Sequence, residues 1–269
     1  MLVTRYNEKR LVEYLKPGLK ALVKFDNHGL GDMIMFQPLY QRLKTLYSDV
    51  EWHLKPNQDQ GYFAETPDTP VDIEFYIKFP ETTGYSPKYP LTSKPEFCAV
   101  NELGIPWDKS LEFTWKPDRW NTELKLKENC IGMVFGCNSD PGKSMNSGLA
   151  RLFWQRVKSK GFRPIEVQFL NPLHNKSNGR CGFVDYSCRD FEASVENVIA
   201  VLKQCRGFIG INTGTFCAAV CILNGHVLHL RNRHSFDHYK RFEPVPEVDC
   251  TVPAKIDWSI VDNYLESCR

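Results

Sequence analysis

Apolar residues recur along this chain at two periods in turn, and the alternation runs through it twice. Residues 21 to 25 (ALVKF) form a short apolar run suited to a buried strand, and Asn27-His28-Gly29-Leu30-Gly31 supplies a turn. From Asp32 the spacing becomes helical, with Met33, Phe36, Leu39, Tyr40, Leu43 and Leu46 three or four residues apart. Ser48-Asp49 ends that helix, and residues 50 to 54 alternate like a second strand. Ahead of this unit, residues 6 to 16 pattern as a short amphipathic helix stopped at Pro17-Gly18. After it comes an irregular stretch with one strand, residues 71 to 79, and a turn-rich segment, 81 to 94, that reads as an exposed loop. Residues 97 to 103 predict a helix, and 111 to 128 a strand followed by a polar connector.

A second series then begins. Strands are predicted at 130–135, 163–170, 207–211 and 226–230, and helices at 149–160, 191–204, 216–223 and 257–268, the last capped by Asp257. Two successive strand–helix series predict two doubly wound α/β domains with a cleft between them, residues 1–128 and 129–269. Whether the last helix packs back on the first domain is left open by the pattern.

Composition narrows the class. A chain of 269 residues is long enough for two domains with their own cores, and 42% hydrophobic with 25% charged residues is the balance of an ordinary folded protein. The net charge of +2 excludes a global field that would demand a polyanionic partner. Local bias remains: residues 1 to 24 carry Arg5, Lys9, Arg10, Lys16, Lys20 and Lys24 against Glu8 and Glu13, and residues 229 to 241 read HLRNRHSFDHYKR. No apolar run approaches a membrane span and the amino terminus lacks a signal-peptide core, so a cytoplasmic protein without a transmembrane segment is expected. The ten cysteines are scattered with no Cys-x-x-Cys pair, which predicts reduced, mostly buried thiols. Cys217, Cys221, His226 and His229 are zinc-ligand types, but the first two fall on an interior helix, and no metal or cofactor is expected.

Four constellations carry candidate chemistry. Asp32 opens a helix at the carboxyl end of a strand, where open α/β sheets bind ligands; it reads either as a helix cap or as a general base, with His28, Gly29 and Gly31 forming the adjoining loop. The loop from Gly136 to Ser144 resembles a phosphate loop in composition, but five residues separate its glycines where a P-loop has four. Its Asn138, Ser139 and Lys143 still offer donors and a positive charge to an anion. Asn212-Thr213-Gly214-Thr215 stands at a predicted helix amino terminus, where N–H groups face outward. Arg231, Arg233 and His234 follow the strand at 226–230. A solvated polar face accounts for any one of these loops; three anion-suited features at equivalent ends of one sheet favour a diphosphate pocket.

Gly31-Asp32 followed by Pro38-Leu39 and Leu43-Lys44 resembles the opening motif of glycosyltransferase family 9, the ADP-heptose:lipopolysaccharide heptosyltransferases. Glu65-Thr66-Pro67, Asn101 to Ile105, Lys143 ahead of Phe153-Trp154, and the stretch 195–219 continue the resemblance. It implies a GT-B fold, two Rossmann-like doubly wound domains facing a cleft, with the acceptor on the first and a nucleotide-diphosphate sugar as co-substrate on the second. It also implies an inverting, metal-independent transfer. Asp32 would deprotonate the acceptor hydroxyl, Lys143 and Ser139 would hold the donor phosphates, and Thr213-Gly214 would present N–H groups to them. Asn212 and Cys217 stand where the family has Asp and His, so this is a divergent member whose donor need not be ADP-heptose. A glycan is the acceptor the family implies. A hydroxylated DNA base is an alternative suited to the basic segment 5 to 24, although residues 25 to 129 hold 11 basic and 17 acidic side chains. A nucleotide kinase or ATPase centred on Lys143 is a third reading.

Overall fold

Two compact units, Met1–Trp115 and Lys116–Arg269, divide the chain, and each is built on a parallel sheet. The structure is a computed structural model that describes residues 2–4, 9–25, 29–56, 58–77, 94–127, 129–137, 144–167, 194–231 and 245–269.

The first unit contains β1 (Leu2–Thr4), β2 (Lys20–Phe25), α1 (Leu30–Leu46), β3 (Glu51–Lys55), β4 (Ile73–Ile77) and α2 (Lys94–Phe97), which runs on into a π-helical stretch, Cys98–Leu103. Strand order is β1-β4-β2-β3. Register puts Ala21 beside Trp52 and Ile73, Val23 beside Leu54 and Phe75, and Phe25 beside Ile77, so all of these share one face. Helix α1 covers that face: the Phe36 ring meets Phe25 edge-on at 4.5 Å, and Met33, Leu39, Tyr40 and Leu43 are fully buried. The other face is polar, with the Lys24 ammonium donating to Glu74 Oε2 at 2.5 Å and to the Tyr76 hydroxyl at 3.2 Å. Parallel sheets are usually apolar on both faces. Here the β3–β4 crossover carries a 3-10 turn (Gln58–Phe63) and no α-helix among its described residues, so period-two alternation suits β3 and β4 better than a continuous apolar run.

The second unit runs β5 (Cys130–Val134), α3 (Ser147–Ser159), β6 (Arg163–Glu166), α4 (Val195–Leu202), β7 (Cys205–Gly210), α5 (Gly214–Ile222), β8 (Val227–Arg231), β9 (Glu247–Asp249) and α6 (Trp258–Ser267). Strand order is β6-β5-β7-β8-β9. Every residue of β5 is buried, as a central parallel strand requires. On one face Ile131, Met133, Ile209, Leu228 and Leu230 pack with Phe153 and Trp154 of α3 and with Val261, Tyr264 and Leu265 of α6. On the other, Phe208 and His229 pack against Phe216 of α5.

Four elements differ from expectation. The helix predicted at 6–16 is absent among residues 9–16, which hold only a 3-10 turn, Leu11–Glu13. A helix this short, stopped by Pro-Gly, is marginal by itself. Upstream of it residues 2–4 form β1, which had no counterpart in the sequence pattern and pairs with β4 (Leu2 beside Ile73). No strand forms in 112–127: that backbone is met by side chains, Gln204 Oε1 accepting from the Leu126 N–H at 2.9 Å and Gln204 Nε2 donating to the Leu124 carbonyl at 2.9 Å. Strand β9 had no counterpart in the sequence pattern. The rest of the predicted strands and helices occur within a few residues of their expected limits, as far as the described residues reach. The exposed loop predicted at 81 to 94 lies outside them, apart from Lys94 at the start of α2.

Candidate active site

In each unit the chemistry-bearing turn leaves the sheet where strand order reverses, the position at which open α/β sheets leave a crevice. In the first sheet, β2 has β3 on one side and β4 on the other, and the turn after β2 leads into α1. Gly29 is the N-cap and Asp32 the third helical residue; the Gly29 N–H donates to Asp32 Oδ2 at 3.2 Å, and the Asp32 and Met33 N–H groups donate to the Gly29 carbonyl. Capping is therefore a role that Asp32 fills. A carboxylate in the first turn also complements the helix dipole. Neither glycine is present for a left-handed backbone: Gly29 is extended (φ −78°) and Gly31 is helical. A Cβ on Gly29 would lie an ordinary 3.9 Å from Asp32 Oδ2. Asp32 and Gly31 are half-buried, and His28 lies outside the described residues.

In the second sheet the reversal lies between β5 and β7. A Cβ on Gly210, the last residue of β7, would overlap the Val134 side chain at the end of β5, so glycine is what lets these two strand ends approach. Beyond β5 the chain enters the loop that holds Asn138, Ser139 and Lys143, all outside the described residues. Its neck is closed: Met145 N–H donates to the Phe135 carbonyl at 2.8 Å and Cys137 N–H to Ser144 Oγ at 2.9 Å. Asn146 then caps α3, accepting from Gly148 N–H at 2.8 Å.

Beyond β7, Thr213 caps α5 by accepting from the Phe216 N–H at 3.2 Å. Helix α5 is buried nearly all round, from Thr215 (2% exposed) to Cys221, so its dipole ends at the sheet's ligand side rather than in bulk solvent. Asn212, Thr213 and Gly214 are half-buried at its start, and among the described residues no acceptor meets the Gly214 N–H. Thr213, Gly214 and Thr215 thus form a preset amino terminus of the kind that takes an oxyanion.

Arg231 ends β8 on the face that carries α5. Its Nη2 donates to Asp249 Oδ2 at 2.7 Å and its Nε lies 3.1 Å from Glu247 Oε1. His229, two residues earlier, is 2% exposed, with Nδ1 at 3.0 Å from Glu247 Oε2. The sequence singled out Arg231 but not these carboxylates. Arg233 and His234 lie outside the described residues. Cys217 and Cys221 are buried in α5, and among the described residues no group of three or more His, Cys, Asp or Glu side chains is placed to hold a metal ion. No described helix is long and apolar enough to cross a membrane.

Solved structures share this fold. TibC, an iron-containing dodecameric glycosyltransferase of enterotoxigenic E. coli, superposes with a TM-score of 0.62 at 15% identity, over 88% of this chain and 66% of TibC. The chain shares its α/β fold with a solved glycosyltransferase. The ADP-heptose lipopolysaccharide heptosyltransferase II of E. coli matches with a TM-score of 0.59 at 11% identity, over 92% of this chain and 98% of that one. A family 9 glycosyl transferase of Veillonella parvula matches with a TM-score of 0.57 at 11% identity, over 80% of both chains. The chain spans just under two thirds of TibC, the first of these. Neither a family model nor a curated protein matches the sequence. At such identities the likeness is one of fold: two Rossmann-like α/β units with parallel sheets, as the alternating pattern predicted.

Proposed function

We propose that this chain is an inverting glycosyltransferase that moves a sugar from a nucleoside-diphosphate sugar to an acceptor hydroxyl, with a glycan as the acceptor. The observation that carries the reading is the pairing of turn chemistry with topology. A carboxylate opens the helix at the first sheet's reversal, and a capped, glycine-bearing helix amino terminus opens at the second's. Two neighbours of the same fold were solved with a nucleotide ligand, TibC with ADP-D-β-D-heptose and E. coli WaaC with ADP, which supports a nucleoside-diphosphate sugar as the donor here.

On this reading Asp32 takes the proton of the acceptor hydroxyl as its oxygen attacks the anomeric carbon. The bond from that carbon to the diphosphate breaks, and the electron pair leaves with the nucleoside diphosphate. Charge then grows on the leaving phosphate, where the Thr213–Thr215 turn aims the amino end of α5. Asn212 and Arg231 border that turn, and Asn138, Ser139, Lys143, Arg233 and His234 are the further donor-side residues the reading assigns. Gly29 and Gly31, with His28, shape the acceptor-side loop, and Gly29 orients the Asp32 carboxylate through its N–H. The chemistry requires no metal to meet the leaving-group charge if these groups do so.

Thermal denaturation of the pure chain against ADP, UDP, GDP and CDP tests the donor half of the proposal. One nucleotide should raise the midpoint in a concentration-dependent way, as any ligand of the folded state must. No stabilisation by any of the four, at millimolar concentration, would contradict it.

A further inference from the structure

Arg231 was expected to meet the donor phosphates directly, yet it is already engaged. Its position follows from register and alternation. Gly210 of β7 lies beside His229 of β8, and Arg231 lies beside Asp249 of β9. Leu228 and Leu230 point into the core shared with α3 and α6, so His229 and Arg231 point to the opposite face. That face carries α5, whose Phe216 ring sits 5.2 Å from the His229 ring. Moving one step along the strand toward its carboxyl end leads from His229 to Arg231. Moving one turn back along α5 leads from Phe216 to Thr213 and Gly214. Both steps run toward the same end of the sheet, so Arg231 is placed on the side of the amino terminus of α5.

Two carboxylates claim this guanidinium. Glu247 is divided between Arg231 Nε at 3.1 Å and His229 Nδ1 at 3.0 Å. Asp249 gives Oδ2 to Arg231 at 2.7 Å, while its Oδ1 accepts from the Thr251 N–H at 2.9 Å and hydroxyl at 2.7 Å. Two carboxylates thus face the single guanidinium. A diphosphate drawn to α5 therefore meets two carboxylates of its own sign beside Arg231, and they compete with it for the guanidinium. Asp249 is the more exposed of the two, at 49% of its side chain against 28% for Glu247.

We infer that Asp249 and Glu247 are specificity-determining residues of the donor site, acting through Arg231: they hold the guanidinium away from weakly charged ligands and release it to a diphosphate. The inference rests on the donor-site reading above. It has a sign that a purely structural ion pair lacks, since removing the competing charge should improve ligand binding rather than impair it. Asparagine at 249 keeps the oxygen that accepts from Thr251 but not the charge that holds Arg231.

The test is calorimetric titration of ADP, at low ionic strength, into the full chain, D249N and D249E, with melting curves to confirm folding. D249N should bind ADP about three- to tenfold more tightly than the unaltered chain, the gain shrinking with added salt, as removal of a unit charge a few ångströms away implies. D249E, which keeps the charge, should bind within about twofold of the unaltered chain, since the screened Coulomb term is preserved. Equal or weaker binding by folded D249N, with ADP binding intact in the unaltered chain, overturns the inference and leaves the donor site standing. Absence of ADP binding in all three removes this inference and the ADP form of the donor reading together.

Discussion

Asp32 has two duties that differ in what they need from the side chain. Capping needs one oxygen that accepts from the Gly29 N–H, and catalysis needs a basic carboxylate. Replacing Asp32 by Ala should cost about 1 kcal/mol in urea denaturation, the usual worth of a lost cap, whereas Asn should cost under about 0.5 kcal/mol because its amide oxygen still accepts. Equal losses for the two variants would show that α1 depends on the charge rather than the hydrogen bond. Gly210 is a second position where one atom decides: Gly210→Ala places a Cβ against Val134 and should destabilise by about 1–3 kcal/mol, the range for an overpacked core, on the same denaturation curve. At this scale the sequence was legible where a residue acts within its own turn. Asp32 after a glycine turn and Thr213 before a run of small residues both announce a cap. The partners of Arg231 were hidden because Glu247 and Asp249 lie sixteen and eighteen residues downstream, on a three-residue strand that neither periodicity nor length could reveal. The turn at Gly29 and Gly31 needs no left-handed backbone, since Gly29 is extended and Gly31 helical.

Elements held by long apolar faces were read correctly, and those held by polar contacts were not. Helix α1 keeps its pattern over 17 residues despite Pro38, which removes one rung of the hydrogen-bond ladder. By contrast, the segment 112–127 takes its order from Asn121 bonding Asn197 and from Gln204 bonding the backbone, pairings that no local pattern encodes. Helix α6 shows both kinds of fastening. Its Tyr264 hydroxyl accepts from the Phe208 N–H at 2.8 Å and lies 3.0 to 3.1 Å from the carbonyls of His226 and Phe208. Tyr264→Phe strips these buried groups of a partner and should cost about 1–3 kcal/mol by thermal or urea denaturation; a loss under about 0.5 kcal/mol would mean that water replaces the hydroxyl. Outside, Arg156 of α3 grips Asp262 of α6 through one guanidinium edge, Nε donating to Oδ1 at 2.6 Å and Nη2 to Oδ2. The hydrogen bond from Arg156 holds the Asp262 carboxyl below its usual range. A depressed folded pKa means that the unfolded chain takes the proton first. The contribution is therefore full above about pH 4 and is lost as pH falls through the folded value. Stability followed from pH 6 downward should fall less steeply below about pH 4 in Asp262→Asn than in the unaltered chain. Superimposable acid limbs would assign that loss to other carboxylates.

For the whole molecule, alternation of strand and helix was enough to indicate two α/β units, because parallel sheets leave little choice of connection. The division after Trp115 was not legible, since it depends on Trp115 packing with Tyr62 and Phe63 while the next residues follow the second unit. Cysteine chemistry is also set at this scale. All eight described cysteines are buried free thiols, and burial pushes the Cys250 thiol up to about 12. These eight should resist alkylation by iodoacetamide in the native chain and react on unfolding, as mass spectrometry would show; rapid native labelling of Cys205 or Cys217 would contradict the packing of the second sheet. What joins both units into one account is the proposed transfer, and Asp32 is where it is most exposed to test. The most direct measurement is release of nucleoside diphosphate from the preferred nucleotide sugar, with its acceptor, by the unaltered chain and by Asp32→Asn, alongside donor binding to each. The account predicts turnover lowered by about 10²–10⁴-fold with donor binding unchanged, the usual effect of losing a general base. Turnover by Asp32→Asn within a few-fold of the unaltered chain would contradict it.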